Sequence, residues 1–572
     1  MIEFKQKLSG ALAAAIAAKF PNAAMSAEDI AAMLEYPPDT AMGDVALPCF
    51  KMSKSLRAAP PAIAAAILDE LNAALPDFIG SVTVAGGYLN FKVSNRYFIG
   101  KTLAAIEDKD VAYGSSEVGK GKTCVLDYSS PNICKPFHIG HLGSTIIGHS
   151  LRNLYDFIGY DCVSINHLGD WGTQFGKQIV AYRRWGDRNV IEKGGVDELV
   201  KIYVKFHEEA EKDPSLNDEA RAEFHKLEMG DAENVALWKW FVQISLEEFK
   251  KYYDKLGVSF DSFNGEAFYT DKMPAEVEKL RAAGLLKLDN GASIVDLTDY
   301  DMPPCLILKS DGSTLYPTRD IAAAVYRKNT YHFDKCIYVT SSQQCLHFKQ
   351  WFKVVDLMGY DWADQLVHVP YGTVSINGEK LATRSGNVIL IKDLINAAVE
   401  KVNAVMQEKN PDLPDRDRVA EEVGVGAVVF NYLYNSRIKD INFILEDALS
   451  FEGNTGPYAQ YTYARTCSIL EKVKSFDTTA AKITAPEEQT LLLTLAKFPE
   501  KVLEAANAYE PSLITRFVIE ICTAFNRFYH ECPILSAEDD EVRATRLRLT
   551  AATRTVLGSA LRLICVKTPE KI

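Results

Sequence analysis

The chain has 572 residues, of which 47% are hydrophobic and 24% charged, and its formal net charge is −13. A chain of this length exceeds what one hydrophobic core supports, so we expect roughly three or four domains. The acidic balance argues against a surface covered in nucleic-acid-binding charge but allows a local basic groove. No apolar stretch approaches the ~18 residues that a membrane span needs.

The first predicted domain covers residues 1 to 115 and combines helices with short strands. Phe4, Leu8, Leu12 and Ile16 repeat at a spacing that predicts an amphipathic helix rather than a signal peptide. An alanine-rich helix is expected after Pro60, and short strands are expected in SVTVAGGYLNFKV. The polar, glycine-rich segment YGSSEVGKGK predicts a linker to the next domain.

A parallel α/β core is predicted over residues 116 to 395. TCVLDYSSPN predicts a strand, HLGSTIIGHSLRNLYDFIGYD a helix and CVSINHLGD a second strand, which together form a βαβ unit. The charge-dense residues 180 to 300 predict a helical insertion, and strands return in CLILKSDGSTLY, KCIYVTSS and LVHVPYGTVSI. From residue 420 to residue 572 only helical periodicity is evident, with no convincing strand.

The strongest motif is SSPNICKPFHIGHLGS, which lies where the first core strand gives way to the first core helix. Ligands bind at the carboxyl ends of parallel strands, and a helix N-terminus offers free N–H groups to phosphate. His138 and His141 are close enough in sequence to reach one phosphate together, and Gly140 lets a flat base approach the backbone. The alternative is a solvent-facing loop with two ordinary histidines.

In its wider context this HIGH motif resembles the arginyl-tRNA synthetases, which are class I aminoacyl-tRNA synthetases. The resemblance extends in order over nearly the whole chain, through NHLGDWGTQFGK, LYPTRDIAAAVYR, QQCLHFKQWF, FEGNTGPYAQYTYAR and ALRLICVKTPEKI. It implies a split Rossmann-like, doubly wound catalytic core at 116–395, a small α+β domain at 1–115 that binds the tRNA elbow, and an all-helical anticodon-binding domain at 420–572. It also implies ATP-dependent activation of L-arginine, transfer to the 3′-terminal adenosine of tRNA, and an activation step that waits for tRNA.

Two segments compete for the role of the ATP-handling lysine loop. KMSKS itself occurs at residues 51–55, but it precedes the first core strand, so its lysines either contact tRNA phosphate or form a solvated turn. By resemblance the loop is INGEKLATRSGNVI, with Lys380, Thr383 and Arg384 as ATP contacts. Thr383 stands where the motif's second lysine would be, so Lys135 or Arg384 is expected to supply the missing charge on pyrophosphate.

Recognition of arginine requires a carboxylate for its planar guanidinium and a hydroxyl or ring to fix its plane. By resemblance Tyr316 and Asp320 take these roles, with Thr318 as the expected N-cap of their helix; alternatively, Asp320 only stabilises the helix dipole. Further contacts to the rest of the arginine are expected, by resemblance, from Asp127, Ser129, Asn132, His138 and Gln344.

Contacts to tRNA are expected in both outer domains. Tyr88 and Asn90 in GGYLNFKV resemble the elbow-binding segment of the family; the alternative is a plain alternating strand. Tyr458, Tyr461 and Arg465 share one helix face that suits stacking on unpaired bases, or that packs as a core stripe. On a later helix, a basic face or a merely solvated surface is predicted from Arg543, Arg546, Arg548 and Arg554.

The expected cofactor is ATP with Mg²⁺ as substrate, without a structural metal. The expected partners are arginine tRNA and L-arginine, and we expect a cytoplasmic monomer that does not contact membranes. Eleven scattered cysteines without CxxC pairs favour free thiols in a reducing compartment. The alternative functions are another HIGH-bearing nucleotidyltransferase or synthetase, and a non-catalytic tRNA-binding relative suggested by the altered KLATR.

Overall fold

A computed structural model describes residues 1–23, 25–39, 41–376, 379–380 and 389–572, with the backbone alone at 95, 96, 379 and 380. The part of the chain before the core folds around a three-stranded antiparallel sheet of order β1-β3-β2. Its elements are α1 (Ile2–Lys19), α2 (Ala27–Met33), β1 (Val45–Pro48), α3 (Ser53–Leu56), α4 (Pro60–Ala73), β2 (Ile79–Ala85), β3 (Tyr88–Val93) and α5 (Asn95–Lys109). The expected amphipathic helix is α1, whose Phe4, Leu8, Leu12 and Ile16 are all buried.

The core is a four-stranded parallel sheet of order β10-β9-β4-β5, as the βαβ pattern predicts. The elements of its first half and of the insertion are β4 (Thr123–Asp127), α6 (Ile139–Phe157), β5 (Asp161–Ile165), α7 (Thr173–Trp185), α8 (Arg188–Gly194), α9 (Val196–Lys212), α10 (Ser215–Glu228), α11 (Ala232–Leu256) and α12 (Met273–Ala282). A small antiparallel sheet follows in β6 (Leu286–Asp289), β7 (Ala292–Val295) and β8 (Cys305–Leu308).

The second half of the core returns the chain to the parallel sheet. It contains α13 (Tyr316–Tyr331), β9 (Lys335–Ser341), α14 (Cys345–Leu357) and β10 (Leu366–Tyr371), followed by β11 (Val374–Ile376) and β12 (Glu379–Lys380). Because the strands are parallel, the carboxyl ends of β4, β5, β9 and β10 meet at one edge, and α6 and α13 border that edge.

The remainder of the described chain is mainly helical. It comprises α15 (Ile391–Lys409), α16 (Arg416–Tyr434), β13 (Ile441–Phe443), α17 (Leu445–Ala448), α18 (Gly456–Glu471), α19 (Pro486–Ala496), α20 (Phe498–Ala508), α21 (Ser512–Glu531) and α22 (Asp540–Leu563). The expectation that no strand follows residue 420 is wrong at β13, which pairs in parallel with β11. A three-residue edge strand is too short to leave an alternating pattern in the sequence.

Across the described ranges, none of the helices combines the length and the apolar character that a bilayer crossing requires. All eleven cysteines are free thiols.

The buried His149 on α6 predicts a loss of stability in acid. Burial, with the nearby Arg152, lowers the pKa of His149 to about 4, so the folded state keeps the ring neutral. Its Nδ1 lies 2.9 Å from the hydroxyl of Tyr128. Since an unfolded histidine gains its proton near pH 6.5, acidification favours the unfolded chain, and the stability is fully present only above that pH.

We therefore expect the free energy of unfolding to fall by about 2 kcal/mol between pH 7.5 and 5 through His149 alone. His149→Gln keeps hydrogen-bonding capacity without the titration, so its urea midpoint should depend less on pH than that of the parent chain. His530→Gln, at an exposed ring on α21, is the matched control for the loss of a histidine. Equal pH dependence in all three proteins would contradict the assignment.

Candidate functional site

A cleft of about 550 Å³ opens at the carboxyl edge of the parallel sheet. It is bordered by the turn after β4, by α6, by α13 and by the start of α14. Seven of the predicted site residues line it: Asp127, Ser129, Asn132, His141, Tyr316, Asp320 and Gln344. His138 lies at the N-terminus of α6 beside His141, so these residues, far apart in sequence, come together at one edge.

The turn after β4 has a strained backbone. Ser129 and Ser130 both have positive φ, at 72° and 49°, and Cys134 has a φ of 59°. Such conformations cost on the order of 1–3 kcal/mol each in non-glycine residues and tend to persist at functional sites. The hydroxyl of buried Ser129 is 2.8 Å from that of Tyr253, so the turn is held by hydrogen bonds from α11.

Asn132 closes this turn against the loop after β5. It forms a parallel bridge with Gly169, whose N–H donates to Pro131 over 3.1 Å. A Cβ on Gly169 would lie 2.2 Å from Oδ1 of Asn132, so a side chain at this position would displace the Asn132 amide. The exposed side chain of Asn132 is thereby placed at the mouth of the cleft.

The HIGH motif forms the N-terminal cap of α6. The backbone N–H of Gly140 donates to Nδ1 of His138 over 3.1 Å, and that of His138 donates to Nδ1 of His141 over 3.2 Å. Burial lowers the pKa of both imidazoles, with the charge of Lys135 as a further cause, and the effect is larger for His141. Both rings are therefore neutral, and because each Nδ1 accepts, each Nε2 carries the proton.

The structure describes Lys135 in full but only the backbone of Lys380. Lys135 is exposed three residues before the cap, and its charge acts on both histidines. The backbone of Lys380 pairs with Ser375 in the β11–β12 hairpin. The Lys380 side chain, together with Thr383 and Arg384, lies outside the described residues.

Asp320 projects from α13 toward α14. Its Oδ2 lies 2.6 Å from Nε2 of His347, and both side chains are about one-quarter exposed. The expected N-cap, Thr318, lies instead inside α13, which begins at Tyr316 with Leu315 as N-cap. Thr318 is fully buried and its hydroxyl donates to Ile307, so its polarity serves packing against β8 rather than capping.

Two other carboxylates of the cleft are already paired with arginines. Oδ2 of Asp127 lies 2.8 Å from the buried guanidinium of Arg327, and Glu266 lies 3.0 Å from Arg319. The pKa of Glu266 is raised to about 7, mainly by burial, with Arg319 opposing the rise and Asp170 and Asp320 adding to it. Among the described lining residues, Asp320 is the carboxylate without a lysine or arginine partner. Its negative charge is therefore available to pair with one more cation in the cleft.

Three of these partners were not predicted from the sequence. Arg327 lies two helical turns beyond Asp320 and pairs with a residue 200 positions earlier, which no local pattern reveals. Glu266 lies in the insertion without a motif around it. His347 stands within QQCLHFKQWF, three residues after the predicted Gln344, and Arg327 is the last residue of LYPTRDIAAAVYR, so the motifs contained both residues without indicating their partners.

The predicted tRNA residues before the core differ in exposure. Tyr88 is 37% exposed and packs edge-to-face on Phe50, with ring centroids 5.5 Å apart. Asn90, two residues along the same strand, is only 6% exposed. Asn90 therefore lies beneath the surface that Tyr88 presents.

On α18 the predicted aromatic face is partly at the surface. Tyr461 is exposed, and the guanidinium of Arg465 lies 5.0 Å from its ring and 5.0 Å from that of Tyr529 on α21. Tyr458 is half-buried, and its hydroxyl accepts from Asn526 over 2.9 Å. Arg465 thus lies between the rings of Tyr461 and Tyr529, whereas Tyr458 is turned toward Asn526.

The predicted basic face of α22 is wrong for two of its four arginines. Arg546 is buried against Glu488, and Arg548 is buried in a bidentate pair with Glu107 of α5. Helical spacing shows that arginines share a face but cannot show that other segments of the chain cover that face. Arg548 instead joins the helical part of the chain to the N-terminal part.

The described residues contain no group of three or more His, Cys, Asp or Glu side chains that could hold a metal ion.

Three family models match the chain in sequence. The description "Arginyl tRNA synthetase N terminal domain" matches residues 3–93, "tRNA synthetases class I (R), catalytic domain" matches 102–445, and "DALR anticodon binding domain" matches 459–572. The chain is 48% identical to the arginine–tRNA ligase of Alkaliphilus metalliredigens over 575 residues, covering 100% of both chains. It is also 48% identical to that of Halothermothrix orenii over 576 residues, with the same coverage.

Two solved structures share the fold. The arginyl-tRNA synthetase of Thermus thermophilus superimposes with a TM-score of 0.83 at 23% identity, over 99% of this chain and 100% of that one. The arginyl-tRNA synthetase of Plasmodium falciparum gives a TM-score of 0.83 at 24% identity, over 99% of each chain.

Proposed function

The chain belongs to the arginyl-tRNA synthetase family and is an arginine–tRNA ligase, and from this premise we propose that the cleft at the carboxyl edge of the sheet is its catalytic site. The proposal rests on which carboxylates in the cleft are already paired with a cation of the protein. Asp127 and Glu266 face arginines of the protein itself, whereas Asp320 has only the imidazole of His347. A guanidinium is the cationic side chain whose planar fork fits a carboxylate best.

In this proposal Asp320 binds the guanidinium of the substrate, and Tyr316, which is 67% exposed at the start of α13, covers its plane. Glu266 lies in the same cleft, but it is paired with Arg319 and its pKa is raised to about 7, so Asp320 is the carboxylate assigned to the guanidinium. A neutral isostere such as citrulline would leave the Asp320 charge unpaired in a partly desolvated cleft. We therefore expect strong rejection of citrulline.

The other end of the substrate is assigned to the turn after β4. Asn132 and Gln344 border the cleft and supply hydrogen-bonding groups for the α-amino and carboxylate ends. Ser129 borders it too, but its hydroxyl already contacts Tyr253 and Thr145, so we assign it to positioning the turn. Asp127 is better described as a positioning residue, because Arg327 and the hydroxyl of Ser130 already occupy its two oxygens at 2.8 and 3.0 Å. This differs from the direct contact to the α-amino group that the family resemblance implies.

Activation forms a bond between the arginine carboxylate and the α-phosphorus of ATP and breaks the bond to pyrophosphate. His138 and His141 donate Nε2–H to phosphate oxygens as neutral groups, and Gly140 leaves space for the base. Lys135, Lys380, Thr383 and Arg384 are assigned to the triphosphate, with Mg²⁺ arriving as part of the substrate. No side chain acts as nucleophile, so positioning and charge stabilisation provide the catalysis.

Transfer to tRNA follows when a hydroxyl of the 3′-terminal adenosine attacks the carbonyl of the adenylate and AMP leaves. We assign tRNA contacts to Tyr88 and Asn90 before the core and to Tyr458, Tyr461 and Arg465 on α18. The domain limits 1–115, 116–395 and 420–572, a monomeric state and a cytoplasmic location remain our predictions. The free thiols support a reducing compartment.

The test is ATP–pyrophosphate exchange with arginine, citrulline or lysine, each with and without arginine tRNA. We expect exchange with arginine only, and only when tRNA is present. Exchange with another amino acid at comparable kcat/KM would contradict the assignment of the cleft. Exchange with arginine in the absence of tRNA would contradict only the expected dependence on tRNA.

A further inference from the structure

The KMSKS-spelled turn presents one outward stripe that the catalytic site does not use. A 3₁₀ turn at Cys49–Met52 runs directly into α3, and together they bury Cys49, Met52 and Leu56. Phe50 and Lys54 are four residues apart, Arg57 follows as the left-handed C-cap of α3, and all three are exposed. The turn thus buries three anchors and exposes Phe50, Lys54 and Arg57, together with Lys51 and Ser55.

Phe50 is exceptional for its exposure. At 49% it is the single phenylalanine among the large hydrophobic side chains exposed in the described part of the chain. Its partner, Tyr88, is also exposed, and the two rings meet edge-to-face. The N–H of Cys49 donates to Gly87 over 2.9 Å and Pro48 pairs with Tyr88 in the sheet, so both rings are held on ordered backbone.

The cations of the turn are not equivalent. Lys51 points away from the stripe and is ion-paired with Glu35 at 3.1 Å. Lys54 and Arg57 make no ion pair with any described residue, in a chain whose net charge is −13. Lys92, exposed on β3 two positions beyond Asn90, lies on the same sheet face as Tyr88. Exposed aromatic rings, here in edge-to-face contact, beside uncompensated cations are the features that bind unpaired nucleotides.

We propose that Phe50, Lys54 and Arg57 extend the tRNA-binding surface of Tyr88, with an unpaired base of the tRNA on the ring pair and adjacent phosphates on the two cations. This inference rests on the proposed role of Tyr88 in tRNA binding and adds a second segment to it. The turn spelled KMSKS then serves the nucleic acid rather than ATP. Lys51, neutralised by Glu35, takes no part.

The experiment measures the affinity of the full chain for an arginine tRNA transcript at several salt concentrations between 50 and 200 mM. Phe50→Ala is expected to weaken binding about tenfold, within the range for loss of one base–aromatic stack. The double variant Lys54→Ala, Arg57→Ala should reduce the slope of log affinity against log salt by about 1.5, the value for two lost phosphate contacts. Lys51→Ala is the matched control from the same turn and should change neither quantity.

Tyr88→Ala separates the two proposals. If Tyr88→Ala weakens binding while the Phe50 variant and the double variant bind as the parent does, the extension is wrong and the proposed role of Tyr88 stands. If none of the three changes affinity or salt slope, tRNA binding by this part of the chain fails altogether. An equal loss in Lys51→Ala and the double variant would also overturn the proposal, because it would indicate non-specific charge.

Discussion

Asp320→Asn is expected to lower kcat/KM for arginine by about 10²–10³-fold in tRNA-dependent exchange. The substitution keeps the size of the side chain but removes the charge that the cleft leaves without an arginine or lysine partner. Removing one partner of a desolvated charge pair costs about 2–5 kcal/mol, and the expected loss lies in the middle of that interval. The loss should appear mainly in KM for arginine, because the guanidinium is remote from the reacting phosphorus.

The ratio of arginine to citrulline provides the internal control. In the parent chain the ratio should be large, and in Asp320→Asn it should fall toward one, since an amide no longer distinguishes a cation from its neutral isostere. Asp356→Asn, at an exposed aspartate on α14 that pairs with Lys353, should leave both quantities unchanged. An Asp320→Asn variant that still prefers arginine by the parental ratio would show that another carboxylate, with Glu266 as the first candidate, selects the substrate.

The loss of activity on replacing the HIGH histidines should depend on whether asparagine or glutamine is introduced. In both rings Nδ1 accepts from a backbone N–H, so Nε2 is the atom that donates. Glutamine places its –NH₂ close to the position of Nε2, whereas asparagine places it close to that of Nδ1. We expect His138→Asn and His141→Asn to lower kcat about 10²–10³-fold, as loss of a preorganised donor does, and the glutamine variants to retain about tenfold more activity.

The pH profile tests the same assignment independently. Since burial and Lys135 lower the pKa of both histidines, their neutral forms predominate at pH 7 and at all higher pH values. The rate of adenylate formation should therefore not fall as pH rises from 6.5 to 8 through loss of a histidine proton. A fall over that interval that disappears in the glutamine variants, or greater activity of the asparagine variants, would show that the rings act as cations or donate from Nδ1.

Sequence patterns predicted those elements that are determined by residues close to one another in the chain or by the order of the strands and helices. The spacing of Phe4, Leu8, Leu12 and Ile16 predicted α1, and the strand–turn–helix pattern around HIGH predicted the cap of α6. The order of the core segments also predicted a parallel sheet, because such strands need helical crossovers. For α1 and for the cap of α6, the determining residues lie within a few helical turns of one another.

What the sequence could not supply are contacts between distant segments. The pairing of Asp127 with Arg327 depends on β4 and α13 meeting across the sheet, and it changes the expected role of Asp127. The burial of Arg546 and Arg548 depends on neighbours such as Glu488 and Glu107, which helical periodicity cannot reveal. The position of Thr318 inside α13 likewise reflects a hydrogen bond to β8 rather than its capping propensity.

The most direct measurement is the structure of the chain with bound arginine or a non-hydrolysable arginyl-adenylate analogue. The account predicts a guanidinium within about 3 Å of the Asp320 carboxylate, with His347 retained on the other side of that carboxylate or displaced from it. It also predicts that Arg327 stays on Asp127. A guanidinium bound elsewhere, with Asp320 still paired to His347 alone, would contradict the central claim.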